Sequence, residues 1–413
     1  MAFTFIHAAD LHIDSPLAGL GCKDALVRER FANAGRRAVE NLVAEAIRSK
    51  AAFLLICGDI FDGDWRDVST GHFFARELGH LERAGIPTYI VKGNHDAESQ
   101  ISKDLPYPES VRVFASREAE TLEIESLRVT LHGRSFGPRL VGGDFVASYP
   151  SRREGWLNIG LLHTALDGAR GHESYAPCTL EELKRFGYDY WALGHVHAAE
   201  IVARDPFVVY PGNIQGRNPR ETGAKGAMRV SVEEGRIVDV SLLTLDAARW
   251  ARAQVDVASC AEEAEVLTRI EAAMRAERER SEGRPVALRI ALQGVTSLHS
   301  HLVAARERLG EDVRAIGFRH AEDFWVESLR IETRPPTRSA RVLDEADALD
   351  VAALISAAAA EPPFSAALAE LLADIKKKSP QELSGALTSE MAGLAEEARD
   401  ILLGRLSGSE GAA

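Results

Sequence analysis

Phe53-Leu54-Leu55-Ile56-Cys57-Gly58-Asp59-Ile60-Phe61-Asp62 decides the fold. Its apolar run ends on a glycine and a carboxylate. That reads as a buried strand, a sharp turn, and an acidic side chain free to use both oxygens. In α/β sheets, ligands gather outside the carboxyl ends of the strands. The same arrangement recurs in both directions along the chain. Residues 3–9 lead to Asp10 and His12, residues 88–91 to Gly93-Asn94-His95-Asp96, residues 157–162 to His163, and residues 190–193 to Gly194-His195-Val196-His197. Residues two apart on an extended segment project from the same side, so Asp10 pairs with His12 and His195 with His197.

Each block alone is weak. Asp-x-His is common, Asn94 could cap a turn, and His163 could be a satisfied core histidine. Five blocks in order over about two hundred residues, each after an apolar run, point instead to a site for divalent cations. Its ligands are Asp10, His12, Asp59, Asn94, His163, His195 and His197. Mixed His, Asp and Asn donors are too hard for a thiolate-type zinc site and suit Mn²⁺, Fe²⁺ or Zn²⁺.

Working outward, further strands are expected at 128–132, 208–210 and 227–232, with helices at 25–49 and 71–84. Early alternation followed by closely spaced strands predicts a mixed β-sandwich flanked by helices, an α/β class. A second unit alternates as strand 254–257, helix 261–280, strand 286–292, helix 297–309 and strand 325–331, a small α+β domain. Arg334-Pro335-Pro336-Thr337 reads as a linker. Beyond it, 351–360, 365–377 and 389–406 have helical spacing and form a tail, folded back on the chain or docked on a partner. The expected domains are 1–248, 249–335 and 336–413.

The 413 residues carry 46% apolar and 27% charged side chains, as in a soluble globular protein. The opening segment lacks a basic stretch before its short apolar run and reads as a first strand, not a signal peptide. No apolar run is long enough to span a bilayer, and the cytoplasm is the expected location. Cys22, Cys57, Cys178 and Cys260 are scattered, which argues against a disulfide framework. A net charge of −13 argues against coating nucleic acid by bulk electrostatics, but not against a local basic patch. Candidates for such contacts are Arg134, Arg139, Arg152, Arg153, Arg217, Arg220 and Lys225, with Arg217, Arg220 and Arg134 foremost.

These blocks resemble those of the calcineurin-like metallophosphoesterase superfamily. More closely, Ala-Ala-Asp-Leu-His-Ile-Asp-Ser-Pro at 8–16, Gly-Asp-Ile-Phe-Asp at 58–62 and Tyr-Pro-Gly-Asn-Ile-Gln-Gly-Arg at 210–217 resemble the Mre11/SbcD-type DNA repair nucleases, particularly bacterial exonucleases of the YhaO type. The resemblance implies a four-layer β-sandwich, a capping domain, a tail in the position of an ATPase-binding region, and a possible homodimer. It places Asp10, His12 and His197 on one metal and Asn94, His163 and His195 on another, with Asp59 bridging. His95 would face the substrate phosphate and protonate the leaving oxygen. Asp62 matches the position that pairs with that histidine in many members. Archaeal nucleases of the branch often carry histidine there, a departure that bears on the proton path and on the balance of exo- and endonuclease action.

The implied reaction is phosphodiester hydrolysis by two divalent ions, with Mn²⁺ foremost and Fe²⁺, Zn²⁺ or Mg²⁺ as alternatives. The implied substrate is duplex DNA, cut 3′–5′ as an exonuclease with endonuclease activity. The chain has no Gly-x-x-x-x-Gly-Lys-Ser/Thr motif, so ATP use would come from a coiled-coil ABC-type ATPase of the Rad50/SbcC kind. Two other readings stand beside this one: a phosphoesterase for small substrates such as cyclic nucleotides, and a regulatory scaffold subunit of an ATPase complex.

Overall fold

The computed structural model describes residues 1–15, 31–62, 68–98, 105–137, 145–166, 178–320 and 324–336, with 361, 370 and 373 as single positions. Apart from those three, the tail helices expected at 351–360, 365–377 and 389–406 lie outside the described residues, as do Cys22 and Arg139. The chain packs as two units, Met1–Ala251 with Ser281–Ala287, and Arg252–Arg280 with Leu288 onward.

The first unit opens with β1 (Ala2–Ala8), α1 (Ala34–Arg48), β2 (Leu54–Cys57), α2 (Val68–Arg83), β3 (Thr88–Val91), the short α3 (Asn94–Glu98) and β4 (Val111–Val113). There follow β5 (Glu120–Ile124), β6 (Val129–Gly133), β7 (Leu157–His163), α4 (Leu180–Arg185), β8 (Tyr190–Gly194) and β9 (Glu200–Arg204). Then come β10 (Phe207–Tyr210), β11 (Gly226–Glu233) and β12 (Arg236–Thr244). They form two six-stranded sheets, in the orders β12-β11-β1-β2-β3-β4 and β5-β6-β7-β8-β10-β9. β1 to β4 run parallel, as do β6, β7, β8 and β10.

Side-chain alternation explains the layering. In β2, Leu54 and Ile56 pack with Val39, Leu42, Phe73 and Phe74 of α1 and α2, while Leu55 and Cys57 join Ile159, Leu161 and Tyr190 between the sheets. On the far side, Trp191, Leu193, Val208 and Tyr210 pack with Tyr149, Leu183 and Tyr188. The result is helix, sheet, sheet, helix: the α/β sandwich the sequence predicted. The strands at the four sheet edges, β12, β4, β5 and β9, were not among those expected.

The chain continues through β13 (Arg249–Asp256), α5 (Glu263–Arg280), β14 (Val286–Val295), α6 (His299–Ala304), α7 (Arg306–His320) and β15 (Phe324–Arg334), which belong to the second unit except for the first residues of β13 and β14. The sheet order is β13-β14-β15. α5 buries the stripe Val266, Ile270 and Met274. The helix expected at 297–309 is two helices, the second running on to His320. No helix among the described residues is long and apolar enough to cross a membrane.

A buried polar tie joins the two sheets at β1 and β8. His7 of β1, fully buried, donates Nε2–H to the Leu193 carbonyl at 3.1 Å, and the Tyr190 hydroxyl meets its Nδ1 at 3.0 Å. Both nitrogens are thus satisfied in the neutral ring, and burial, only partly offset by the Leu193 bond, pulls its pKa down to about 3. The unfolded chain therefore binds a proton that the folded chain refuses between pH 6.5 and about 3. This contribution is complete above pH 6.5 and drains away as pH falls toward 3, at slightly over about 1 kcal/mol per pH unit. Thermal melts in chelator over that window should show the acid loss, and His7→Gln should flatten it by one proton's worth. An unchanged slope would assign the acid sensitivity to another group.

Candidate metal centre

The parallel strands of both sheets end at one cleft. Asp10 and His12 follow β1, Asp59 follows β2, Asn94 opens α3 after β3, His163 closes β7, and His195 and His197 follow β8. Four of these seven have left-handed backbones: Asp10 (φ 51°), His12 (φ 40°), Asp59 (φ 52°) and His195 (φ 97°). Such geometry costs a non-glycine residue about 1–3 kcal/mol and persists only where its surroundings enforce it. Here the turns after β1 and β2 are zipped together. Asp10 N donates to Gly58 O at 2.9 Å, His12 N to Asp59 O at 3.0 Å, and Ile13 N to Ile60 O at 2.9 Å. Asp96, fully buried, accepts from the backbone N–H of Ile60, Phe61 and Gly93 at 2.9–3.0 Å and pins the Asp59 and Asn94 turns to each other. Two glycines are required by close approach. A Cβ on Gly93 would stand 2.1 Å from Asp59 Oδ1, and one on Gly194 would stand 1.8 Å from Cys57 O.

The seven expected ligands come together. Ligand atoms of Asp10, His12 and His197 lie within 4.8 Å of one another, as do those of Asp59, His163 and His195. Asn94 Oδ1 stands 3.1 Å from His163 Nε2, which joins it to the second group. Asp59 reaches both groups, with Oδ2 at 3.3 Å from His163 Nε2 and 3.9 Å from His12 Nε2. Its other oxygen accepts the His95 backbone N–H at 3.1 Å. Both Asp10 oxygens accept from His195 N, at 3.1 and 3.0 Å. Among the described residues, both groups able to hold a metal fall in the first unit.

The donor set fits cations. His163 gives its Nδ1 proton to the Cys57 carbonyl at 2.9 Å, so the Nε2 lone pair of the neutral ring faces oxygens of Asp59 and Asn94. Three acceptors then converge with no hydrogen between them, and a positive charge must separate them. His12 repeats the pattern. Its Nδ1 meets Asp62 Oδ1 at 2.5 Å, and its buried Nε2 has no hydrogen-bond partner. Without a cation, protons fill the role. Burial pulls the His163 imidazole down, but Asp59 and then Asp10 outweigh it and hold it up to about 9. Burial likewise pushes the Asp59 carboxyl up, yet His163, His12 and His95 hold it well below the usual range.

The other expected site residues are placed unevenly. His95 is 44% exposed at the mouth of the cleft, its ring 5.3 Å from that of His12. Asp62, expected to orient His95, stands 4.0 Å from His95 Nδ1 and makes its hydrogen bond to His12 instead. Arg217 turns toward carboxylates: Nη1 lies 3.4 Å from Asp62 Oδ1 and Nη2 3.8 Å from Glu221 Oε1. Arg134 is spent on the Ser116 carbonyl, the Ser148 hydroxyl and the Phe145 ring. Arg152 donates to the Gly187 carbonyl, and Arg153 pairs with Glu123 over the Trp156 ring. Lys225 is buried and donates to the His197 carbonyl at 2.7 Å. Arg220 is exposed. Glu221 was missed. It meets His197 Nδ1 at 2.9 Å, and that bond outweighs its burial and holds its carboxyl down to about 2. Nothing around it in Arg217-Asn218-Pro219-Arg220-Glu221 resembles a ligand block.

The model of the calcineurin-like phosphoesterase family matches residues 3–199, and that of the middle domain of the metallophosphoesterase YhaO matches 250–334. The uncharacterized metallophosphoesterase YhaO of Bacillus subtilis is 33% identical over 324 residues, 78% of either chain. The chain belongs to the YhaO-type metallophosphoesterases. It is accordingly a hydrolase of phosphoester bonds, in a family with a two-metal centre. The DNA double-strand break repair protein Mre11 of Methanopyrus kandleri is 25% identical over 276 residues, 60% of this chain and 57% of the relative. That of Sulfurisphaera tokodaii is 23% identical over 237 residues, 53% of this chain and 58% of the relative.

Because protons occupy the cleft when cations do not, loading this YhaO-type site must expel them. His163, held up to about 9, is protonated below that pH, so Mn²⁺ should bind more weakly as pH falls from 9. Titration calorimetry in buffers of different ionisation enthalpy should register proton release. Uptake that is independent of pH would contradict the proton-for-cation exchange.

Proposed function

We propose that this protein is a metal-dependent nuclease that hydrolyses phosphodiester bonds of duplex DNA, 3′–5′ from ends with some endonuclease action, in DNA repair. The observation that carries the reading is the gathering of seven donors into two groups that Asp59 links, with a partly exposed histidine beside them at the mouth. DNA as substrate is supported by the two archaeal relatives named as double-strand break repair proteins. A coiled-coil ATPase of the Rad50/SbcC kind would supply the ATP use this chain lacks a motif for, and a homodimer and a cytoplasmic location would accord with that partnership.

Asp10, His12 and His197 would hold one cation and Asn94, His163 and His195 the other, with Asp59 common to both. When bound, the two cations, Mn²⁺ foremost, activate water and neutralise the charge that builds on the phosphate. The protein's own groups do the rest. His195 N holds the Asp10 carboxylate and His95 N holds that of Asp59, so neither carboxylate turns away as phosphate enters. The His95 imidazole, on the open side, protonates the departing sugar oxygen. Arg220 is the exposed candidate for the DNA backbone, where contacts position the duplex without reading its sequence.

End-labelled linear duplex, cyclic nucleotides and bis-p-nitrophenyl phosphate, each with Mn²⁺, Mg²⁺ or chelator, test the reading. DNA should be shortened with Mn²⁺ and not in chelator. His95→Asn should lower turnover about 10²–10⁴-fold with metal content intact, as for a lost general acid. Asp59→Ala should lose both metal and activity. Cleavage of cyclic nucleotides with duplex untouched would overturn DNA as substrate, and loss of metal from His95→Asn would overturn the role of His95.

A further inference from the structure

His163 is backed by different chemistry from His12 and His197. Behind His163, the Nδ1 proton goes to a neutral acceptor, the Cys57 carbonyl. Behind His12 and His197, Nδ1 goes to carboxylates, Asp62 at 2.5 Å and Glu221 at 2.9 Å. These carboxylates are joined. Arg217 spans them through Nη1 and Nη2, and its backbone N donates to Glu221 Oε2 at 2.7 Å. Asn213 Nδ2 donates to the same oxygen at 2.7 Å, and Ser15 Oγ stands 3.3 Å from Arg217 Nη1. The three charged side chains are sheltered, with Glu221 11% exposed, Asp62 22% and Arg217 21%.

We propose that Asp62, Arg217 and Glu221 form one clamp that fixes His12 and His197 with Nε2 as the donor nitrogen, so that the position of Asp10, His12 and His197 takes its cation through two imidazoles that donate more strongly than His163 does at the other. A carboxylate on Nδ1–H fixes the tautomer and ring orientation and raises ligand basicity, and losing such a partner commonly costs about 10–100-fold in metal affinity. A backbone carbonyl polarises the ring less, because it carries no net charge. Arg217 is what allows two carboxylates to stand so close behind one cation position, by screening each from the other. These are positioning residues. They touch ligands, not substrate, and Asp62 acts on His12 where the family resemblance implied that it pairs with His95.

The inference rests on the two-cation reading and is indifferent to whether DNA is the substrate. Its test is Mn²⁺ binding by full-length protein, read by titration calorimetry and electron paramagnetic resonance, in two backgrounds. His163→Gln leaves the clamped position, and His197→Gln leaves the other. Glu221→Gln, which keeps an acceptor for Asn213 and the Arg217 backbone, should weaken binding about 10–100-fold in the first background and leave the second unchanged. Asp62→Asn should do the same through His12, and it provides a second reading if the Glu221 variant misfolds by circular dichroism. Equal weakening in both backgrounds, or no weakening in the first, overturns the clamp alone. A wild-type protein that takes up no Mn²⁺ overturns the two-cation reading and the clamp with it.

Discussion

Asp10 and Asp59 are almost wholly buried and lie beside histidines whose lone pairs face them. Buried carboxylates with no opposite charge are among the most expensive arrangements a protein can hold. The rest of the first unit is organised around making this one tolerable. Backbone N–H groups of His95 and His195 are aimed at the two carboxylates, and Asp96 ties together the turns that aim them. Four ligands accept left-handed backbones to stay in place. None of this cancels the negative charge. It distributes that charge over fixed positions, and the missing positive charge must arrive as protons or cations. The strain is therefore stored for binding, which separates this cleft from an ordinary buried polar cluster that satisfies itself.

The interior strands were legible because they are buried on both faces. Leu54-Leu55-Ile56-Cys57 and Thr88-Tyr89-Ile90-Val91 must be apolar on consecutive residues, which sets them apart from any surface segment. The strands that escaped notice, β4, β5, β9 and β12, are the four sheet edges. Glu120-Thr121-Leu122-Glu123-Ile124 and Arg236-Ile237-Val238-Asp239-Val240 each have a solvated side and charged residues, as edges that must avoid pairing with another chain do. Their membership is decided by the neighbour strand, which local pattern does not contain. Likewise the break between α6 and α7 falls inside one continuous run of helical spacing.

At the site the division follows the same logic. The candidate ligands were legible because each sits at the end of a buried strand and all but His163 lie beside a glycine or a second candidate, so sequence neighbours carry the signal. What lies behind the ligands obeys no such rule. Glu221 reaches His197 from twenty-four residues away, and Asp62 reaches His12 across fifty. The basic residues misled for a related reason. Lys225 and Arg217 stood among the candidates for nucleic-acid contact, yet one donates to a carbonyl under the cleft and the other pairs with two carboxylates behind it. Charge in a loop near an acidic cluster is drawn inward, and sequence alone shows the loop without the cluster.

The clamp leaves His95 in a different position from every other histidine of the cleft. Its backbone is fixed through Asp59 Oδ1, but its ring is nearly half exposed and 4.0 Å from Asp62, beyond a hydrogen bond. Cation ligands need rigidity, because small misplacements degrade a metal site. A proton donor to a leaving oxygen needs reach, because that oxygen shifts as the bond to phosphorus lengthens. Taking Asp62 away from His95 and giving it to His12 serves both demands. In the proposed roles, the anion strengthens a ligand that must not move, and His95 as the acid is left to be oriented by the phosphate. An acid held by its substrate is poorly placed when the leaving group is absent, so the catalytic arrangement is complete only once a phosphoester occupies the mouth of the cleft.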